Sequence, residues 1–282
     1  MNKKFHEANR LSWNAATVVH NSHKHEQAAF LRQGGNTLYP EELSLLGDIK
    51  GLNILHLQCN SGQDTLSLAQ HGANVTGVDI SDEAINFARQ LSIDSGIPAQ
   101  FHLADIFDWM EQAITKNLQF DRVFCSYGAL IWLSDLNNWA KLISQLLTPK
   151  GKFIAVEFHP LAFCLDAQWQ PYRDYFREGL AFEAAGVEDY VADYPETLCP
   201  SKVLEGITNF QNPHPSFEFH WGTHEVVNAL IQAGLRIEQF NEYPYSNGWS
   251  GLAGMRHIGD NRLAQPEGMP RIPLMYSVLA GK

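Results

Sequence analysis

Ile54-Leu55-His56-Leu57-Gln58-Cys59-Asn60-Ser61-Gly62-Gln63-Asp64-Thr65 is the stretch on which the fold turns. A short apolar run after the turn at Gly51 gives way to a polar loop containing one glycine. That is a buried strand feeding a helix. The helix follows Gly62, with Leu66, Leu68 and Ala69 apolar and Gly72 as its stop. Working outward, Val75-Thr76-Gly77-Val78 reads as a second strand ending at Asp79. Ser81 reads as an N-cap, with Asp82 and Glu83 in the positive first turn of the next helix. Ala84, Ile85, Ala88 and Leu91 repeat at helical spacing until Gly96-Ile97-Pro98. Ala99 to Leu103, Arg122 to Cys125 and Lys152 to Phe158 supply three further strands. Leu136, Trp139, Ile143, Leu146 and Leu147 mark a helix stopped by Pro149-Lys150-Gly151. Later, Thr223 caps a helix running to Gly234, and Leu235 to Phe240 and Met275 to Leu279 read as closing strands. Strands alternating with helices give an α/β chain whose parallel sheet is covered on both faces.

The flanks differ in texture. Residues 1–50 are polar and His-rich, with Trp13 and Phe30 as aromatic anchors, and residues 159–221 are irregular and rich in aromatics and proline. We read 1–50 as an N-terminal helical cap segment, 51–158 with 222–282 as the core, and 159–221 as an insert completing the cap, one structural domain overall. The 282 residues are 45% hydrophobic and 18% charged, enough apolar material for a core and too little charge for a disordered chain. A formal net charge of −11 and the lack of a basic run argue against nucleic-acid partners, whose affinity is built on Lys and Arg contacts to phosphate. Cys59, Cys125, Cys164 and Cys199 show no CxxC spacing, so neither a zinc site nor a disulfide framework is expected, and a reducing cytoplasm is. The start of the chain lacks the apolar stretch of a signal peptide, and no run of about 18 apolar residues suggests a membrane span.

In open α/β sheets ligands bind beyond the carboxyl ends of the strands. Those ends carry Gln58 to Thr65, Asp79, Asp105, Ser126-Tyr127-Gly128 and His159-Pro160. Asp79 stands 17 residues past Gly62, where a carboxylate accepts hydrogen bonds from both hydroxyls of a ribose. The first loop lacks the G-x-G-x-x-G spacing a pyrophosphate needs, which disfavours nicotinamide and flavin dinucleotides. A nucleoside without phosphate needs fewer glycines.

Leu55 to Thr65, then Val75 to Ser81, then Ala104-Asp105, resemble the class I S-adenosylmethionine-dependent methyltransferases. The match is to a bacterial, small-molecule-type branch whose nucleotide loop reads Leu55-His56-Leu57-Gln58-Cys59 rather than acid-x-Gly-x-Gly. The likeness extends to Glu157-Phe158-His159-Pro160 and to Glu225 through Leu235. It implies a Rossmann-like, seven-stranded, mostly parallel sheet of order 3-2-1-4-5-7-6 with the last strand antiparallel. It also implies S-adenosylmethionine as cofactor, S-adenosylhomocysteine as product and no metal. By the same resemblance Asp79 holds the ribose, and Asp105, beside Ala104, accepts the adenine amino group between Ile80 and Ile106. Gln58, Cys59, Asn60 and Gly62 wrap the methionine part, Asp64 and Thr65 reach its amino or carboxylate group, and Ser126 lines the donor side. Where the family carries an acid and two glycines, this chain has His56, Gln58 and Asn60; Asn60 tolerates positive φ, as glycine does.

Methyl transfer from a sulfonium is an in-line displacement, so the protein mainly positions the acceptor and excludes water. Trp13, Tyr39, Trp132 and Trp221 are candidates for an aromatic acceptor pocket, and equally for core packing. His159 is either a general base at a strand end or, with Pro160, a turn. Tyr127 and His20 are further catalytic candidates. His20, His23 and His25 lack metal-ligand spacing and read as a solvated segment, with His20 over the donor if the N-terminus is a lid. The expected partner is a small-molecule acceptor, with no nucleic acid and no membrane; the oligomeric state is not encoded in any recognisable feature. The rival readings are a nucleoside-binding relative without activity, a protein methyltransferase, and a nicotinamide-dependent oxidoreductase.

Overall fold

Seven strands form the central sheet: β1 (Asn53–Leu57), β2 (Asn74–Asp79), β3 (Gln100–Leu103), β4 (Phe120–Cys125), β5 (Leu147–Phe158), β6 (Arg236–Tyr243) and β7 (Met275–Gly281). The computed structural model describes residues 2–177, 179–194 and 198–282. Met1, in the expected N-terminal segment, and Glu178 and residues 195–197, in the expected insert, lie outside the described residues. The strand order is β3-β2-β1-β4-β5-β7-β6. The pairs from β3 to β5 are parallel, and β7 runs antiparallel to both β5 and β6. This is the expected Rossmann-like sheet.

Both faces of the sheet are buried, which is why its inner strands read as unbroken apolar runs. Along β4, Val123 and Cys125 face one core cluster and Phe124 faces another; along β5, Phe153 and Ala155 alternate with Ile154 and Val156 in the same way. The first cluster packs against α6 (Ile106–Thr115), α7 (Leu136–Leu146) and α9 (Thr223–Gln232). The second packs against α3 (Pro40–Leu46) and α4 (Gln63–Gln70). The local signals hold at α5 (Asp82–Ser95), where the Ser81 side chain accepts from Ala84 N at 3.1 Å and Gly96 closes the helix at φ 72°.

Three local features differ from the reading above. No helix is expected between Asp105 and Arg122, yet α6 fills that space, N-capped by Asp105 accepting from Phe107 N at 2.9 Å. Gly222, not Thr223, is the N-cap of α9, because Glu225 reaches back to Gly222 N at 2.8 Å. Pro149-Lys150-Gly151 does not precede β5 but lies within it, at the register shift opposite Phe120 to Arg122.

The N-terminal α1 (Lys3–His23) lies across the strand ends. Asn9 exchanges two hydrogen bonds with the backbone of Phe217, at 2.9 and 2.6 Å, and Asn14 binds Ser81 and Asp82. His20 and His23 are buried, so the solvated reading of that segment is corrected for both; His25 alone is exposed. Their partners come from the distant 188–204 stretch: Glu188 O at 2.8 Å from His20, and Asp189 at 2.9 Å from His23. Two-stranded ladders tie residues 24–25 to 202–203, and 181–184 to 216–219. Between β6 and β7 a separate three-stranded sheet (245–247, 256–257, 262–264) stands apart from the core sheet. Among the described residues no helix is long and apolar enough to cross a membrane.

Candidate functional site

The loop after β1 is wound tightly. Gln58, Asn60 and Gly62 all adopt left-handed backbone, with φ of 54°, 46° and 80°. At Gly62 a side chain is barred twice over, since a Cβ there would meet the Ala88 Cβ at 2.7 Å. At the other two positions the strain, about 1 kcal/mol each for a non-glycine residue, is offset by bonds that a glycine side chain lacks. Gln58 Nε2 donates to Ala129 O at 2.8 Å, and Asn60 Oδ1 accepts from Ser61 N at 2.6 Å. Asn60 N itself donates to Asp79 Oδ2 at 2.8 Å, so the loop and the end of β2 form one unit.

Asp79 and Asp105, from neighbouring strand ends, line the same cavity of about 1010 Å³. Asp79 is further fixed by Ser81 N, 2.9 Å from Oδ1. Burial pushes its carboxyl above the ordinary value, while these backbone N–H groups favour the anion. Asp105 uses Oδ1 as the α6 cap, and its Oδ2 accepts from His6 Nδ1 of α1 at 2.6 Å. Burial alone would raise the Asp105 carboxyl, but the His6 hydrogen bond and charge hold it below its usual range. A carboxylate only accepts, so His6 Nδ1 carries the proton and Nε2 meets Ser134 Oγ at 2.7 Å.

On the opposite side of the loop, Asp64 lines the cavity with Lys24. Thr37 Oγ1 donates to Asp64 Oδ1 at 2.6 Å and Ser126 Oγ to Oδ2 at 3.3 Å. Burial raises the Asp64 carboxyl and lowers the Lys24 amine, the two charges partly offsetting each other. Two aromatic walls close the space. Trp13, Trp132 and Tyr190 meet with ring centroids 5.5 and 6.4 Å apart. Tyr39, Tyr127, Phe158 and Trp249 continue from ring to ring at 5.9, 5.4 and 5.6 Å.

A family model described as a methyltransferase domain matches residues 48–212. This chain belongs to the class I S-adenosylmethionine-dependent methyltransferase family. It is 28% identical over 107 residues to a ubiquinone biosynthesis O-methyltransferase of Bordetella avium, covering 38% of this chain and 43% of that protein. The namesake from Xanthomonas euvesicatoria is 28% identical over 132 residues, covering 46% of this chain and 54% of its own. The matched stretch therefore spans about half of these relatives. The crystal structure of an S-adenosylmethionine-dependent methyltransferase from Mesorhizobium loti shares the fold, with TM-score 0.52 and 20% identity over 88% of this chain and 99% of that one.

Of the residues the family resemblance singled out for the cofactor, Gln58, Cys59, Asn60, Asp64, Asp79, Ile80, Asp105, Ile106 and Ser126 line the cavity. Gly62, Thr65 and Ala104 stand behind it: Gly62 packs on Ala88, Thr65 Oγ1 bonds His56 Nδ1 at 2.8 Å, and Ala104 N donates to Asp79 O at 2.9 Å. His56, in place of the family's acid, is buried, and burial lowers its imidazole to about 3, so it is neutral. Trp13, Tyr39, Trp132 and Tyr127 line the cavity; Trp221 lies outside the lining, its Nε1 donating to Leu133 O at 2.9 Å. His20 also lies outside, with burial lowering its imidazole to about 4. His159 is outside too: Nδ1 accepts from Leu161 N at 3.1 Å and Nε2 donates to Glu242 at 3.0 Å, a turn-shaping arrangement.

The sequence reading overlooked His6, Lys24, Thr37, Arg173 and Asn247, all of which line the cavity. None stands at a strand end of the sheet core, so no local motif points to them. It also overlooked the role of Glu157. This carboxylate accepts from the backbone N–H groups of Gly128, Ala129, Leu130 and Phe158, at 2.6 to 2.9 Å, and thereby fixes the loop beside Tyr127. Among the described residues, no cluster of His, Cys, Asp or Glu is arranged to hold a metal ion.

Proposed function

We propose that this chain transfers the methyl group of S-adenosylmethionine to a small molecule held in the aromatic part of the cavity. The observation that carries the reading is the pair of carboxylates, Asp79 and Asp105, facing one cavity from adjacent strand ends. Each is tied to backbone N–H groups, so each is preorganised as an acceptor at low further entropic cost. Asp79 suits a ribose diol, and Asp105, which lines the cavity with Ile80 and Ile106, suits an amino group on a flat heterocycle. Gln58 Oε1, buried and without a partner among the described residues, suits the ammonium of the methionine part, and Lys24 its carboxylate.

When bound, S-adenosylmethionine supplies a methyl group already activated by its sulfonium. The work left to the protein is alignment and exclusion of water. Glu157 holds the Gly128–Leu130 backbone, which carries Tyr127 on one side and meets the Gln58 side chain through Ala129 O on the other. The Trp13–Trp132–Tyr190 wall and the Tyr39–Tyr127–Phe158 wall shape an apolar acceptor space. The relatives named for ubiquinone biosynthesis support a small-molecule acceptor, and the four buried, unpaired cysteines fit a reducing cytoplasm.

Titration calorimetry with S-adenosylmethionine and S-adenosylhomocysteine, with NAD(H) as control, tests the reading. Micromolar binding of the sulfur nucleosides alone is the expected result. Binding of NAD(H) alone, or of none of them, overturns it.

A further inference from the structure

We propose that Asn247 sets the acceptor specificity, and that it reads a hydroxyl group on an aromatic compound. This rests on the methyl-transfer reading above but is argued from the part of the cavity away from the donor carboxylates. Asn247 lies in the three-stranded sheet between β6 and β7, is 3% exposed, and lines the cavity. Its Nδ2 donates to Glu41 Oε2 at 3.1 Å and to the Tyr127 hydroxyl at 2.8 Å. Because a carboxylate only accepts, the Glu41 contact fixes which way the amide faces. Glu41 is itself held by Tyr245 at 2.7 Å and by Arg262. The remaining amide atom, Asn247 Oδ1, is buried with no partner among the described residues.

A buried carbonyl oxygen without a partner, on a residue that lines the cavity, is the group a donor on the cavity's occupant would satisfy. The Tyr127 hydroxyl completes the demand. It accepts from Asn247, and its own proton has no acceptor among the described residues. One amide and one phenol thus present an acceptor and a donor together. A hydroxyl satisfies both, since it donates and accepts. An ammonium cannot accept from Tyr127, and an ether or ketone cannot donate to Asn247. The surroundings give the body that carries this hydroxyl: the rings of Tyr39, Tyr127, Phe158 and Trp249 follow one another at 5.4 to 5.9 Å, a flat apolar wall. Arg262, the cation beside Glu41, is engaged with Glu41 and Asp260.

The probes are 2-naphthol and 2-methylnaphthalene, which match in shape and differ in the hydroxyl. Each is titrated into the wild-type chain, Asn247→Leu and Tyr127→Phe, followed by calorimetry, with S-adenosylhomocysteine titrated separately. The wild type is expected to prefer 2-naphthol by about tenfold, the ratio carried by a hydrogen bond to an otherwise unsatisfied buried group. Asn247→Leu erases the preference and leaves S-adenosylhomocysteine affinity as it was. Tyr127→Phe, which keeps the Asn247–Glu41 contact and so guards against a folding defect, reduces the preference about threefold. The proposal is overturned if the wild type does not bind 2-naphthol, if it binds the two probes equally, if the preference survives in Asn247→Leu, or if it is unchanged in Tyr127→Phe. Failure of the wild type to bind S-adenosylhomocysteine overturns the donor reading instead, and that titration is independent of the naphthol pair.

Discussion

The two ends of the cavity are built in different ways. At the proposed donor end, Asp79, Asp105 and the Gln58–Gly62 loop are anchored to backbone N–H and C=O groups within a few residues of a strand end. At the proposed acceptor end, side chains from α1, the 126–132 loop, the 163–194 stretch and the 245–264 sheet meet through ring contacts and side-chain hydrogen bonds between segments remote in sequence. Backbone anchoring fixes a group wherever the sheet forms, so the donor end follows from the fold. Side-chain packing depends on many distant contacts and leaves the acceptor end free to differ between relatives that share the sheet.

Four expected outcomes sharpen or break that comparison. The largest concerns the support shared by both ends, Glu157. Burial pushes its carboxyl to about 7, against the pull of four backbone N–H groups. A carboxyl whose folded pKa lies above its unfolded value of 4.5 takes up a proton on folding; its contribution is full below pH 4.5 and is lost as pH rises to about 7. The loss is on the order of 3 kcal/mol. Glu157→Gln removes this dependence, so melting temperature plotted against pH is flatter for the variant across that window. Parallel curves would mean that Glu157 is charged throughout and the loop is held by an anion.

Asp79→Ala comes next. Losing charge-assisted bonds to a ribose costs about 2 kcal/mol or more in donor affinity. Unchanged affinity by calorimetry removes Asp79 from the donor end. Trp132→Ala acts at the other end: losing its half-buried ring costs about 1.5 kcal/mol, read as a raised KM for the acceptor at constant donor affinity. If donor affinity falls instead, the Trp13–Trp132 wall belongs to the donor and the two ends are not separable there. The smallest effect is at His6→Phe, about 1 kcal/mol in donor affinity, because Asp105 keeps its cap bond to Phe107 N and loses only its partner on α1. A loss as large as that of Asp79→Ala would make α1 part of the donor end in its own right.

The same contrast explains what could be read beforehand. The strands themselves, the Ser81 cap and the acids at Asp79 and Asp105 are written locally, as periodicity and as residues at strand ends, whereas the strand order comes from the family resemblance. The α6 helix is equally legible, although no helix is expected there above: Ile106, Phe107, Trp109, Met110 and Ala113 recur at helical spacing on one face and are all buried. His159 could be read as a base or as a turn residue, and only the Leu161 N and Glu242 contacts show what its ring nitrogens touch. The burial of His20 and His23 depends on Glu188 and Asp189, more than 160 residues away in sequence. Asn247 becomes conspicuous only when Glu41 and Tyr127, both remote along the chain, take its amide protons.

The left-handed backbone at Gln58 and Asn60 bears on how this chain can drift. Glycine is the replacement that follows the same path without strain, although it forfeits the tethers to Ala129 and Ser61. A β-branched or aromatic replacement forfeits the tethers and adds strain as well. The mutational neighbourhood of the loop is therefore lopsided. A lineage can slide from these two residues toward glycine by small steps, whereas leaving for bulkier side chains requires the turn itself to be rebuilt.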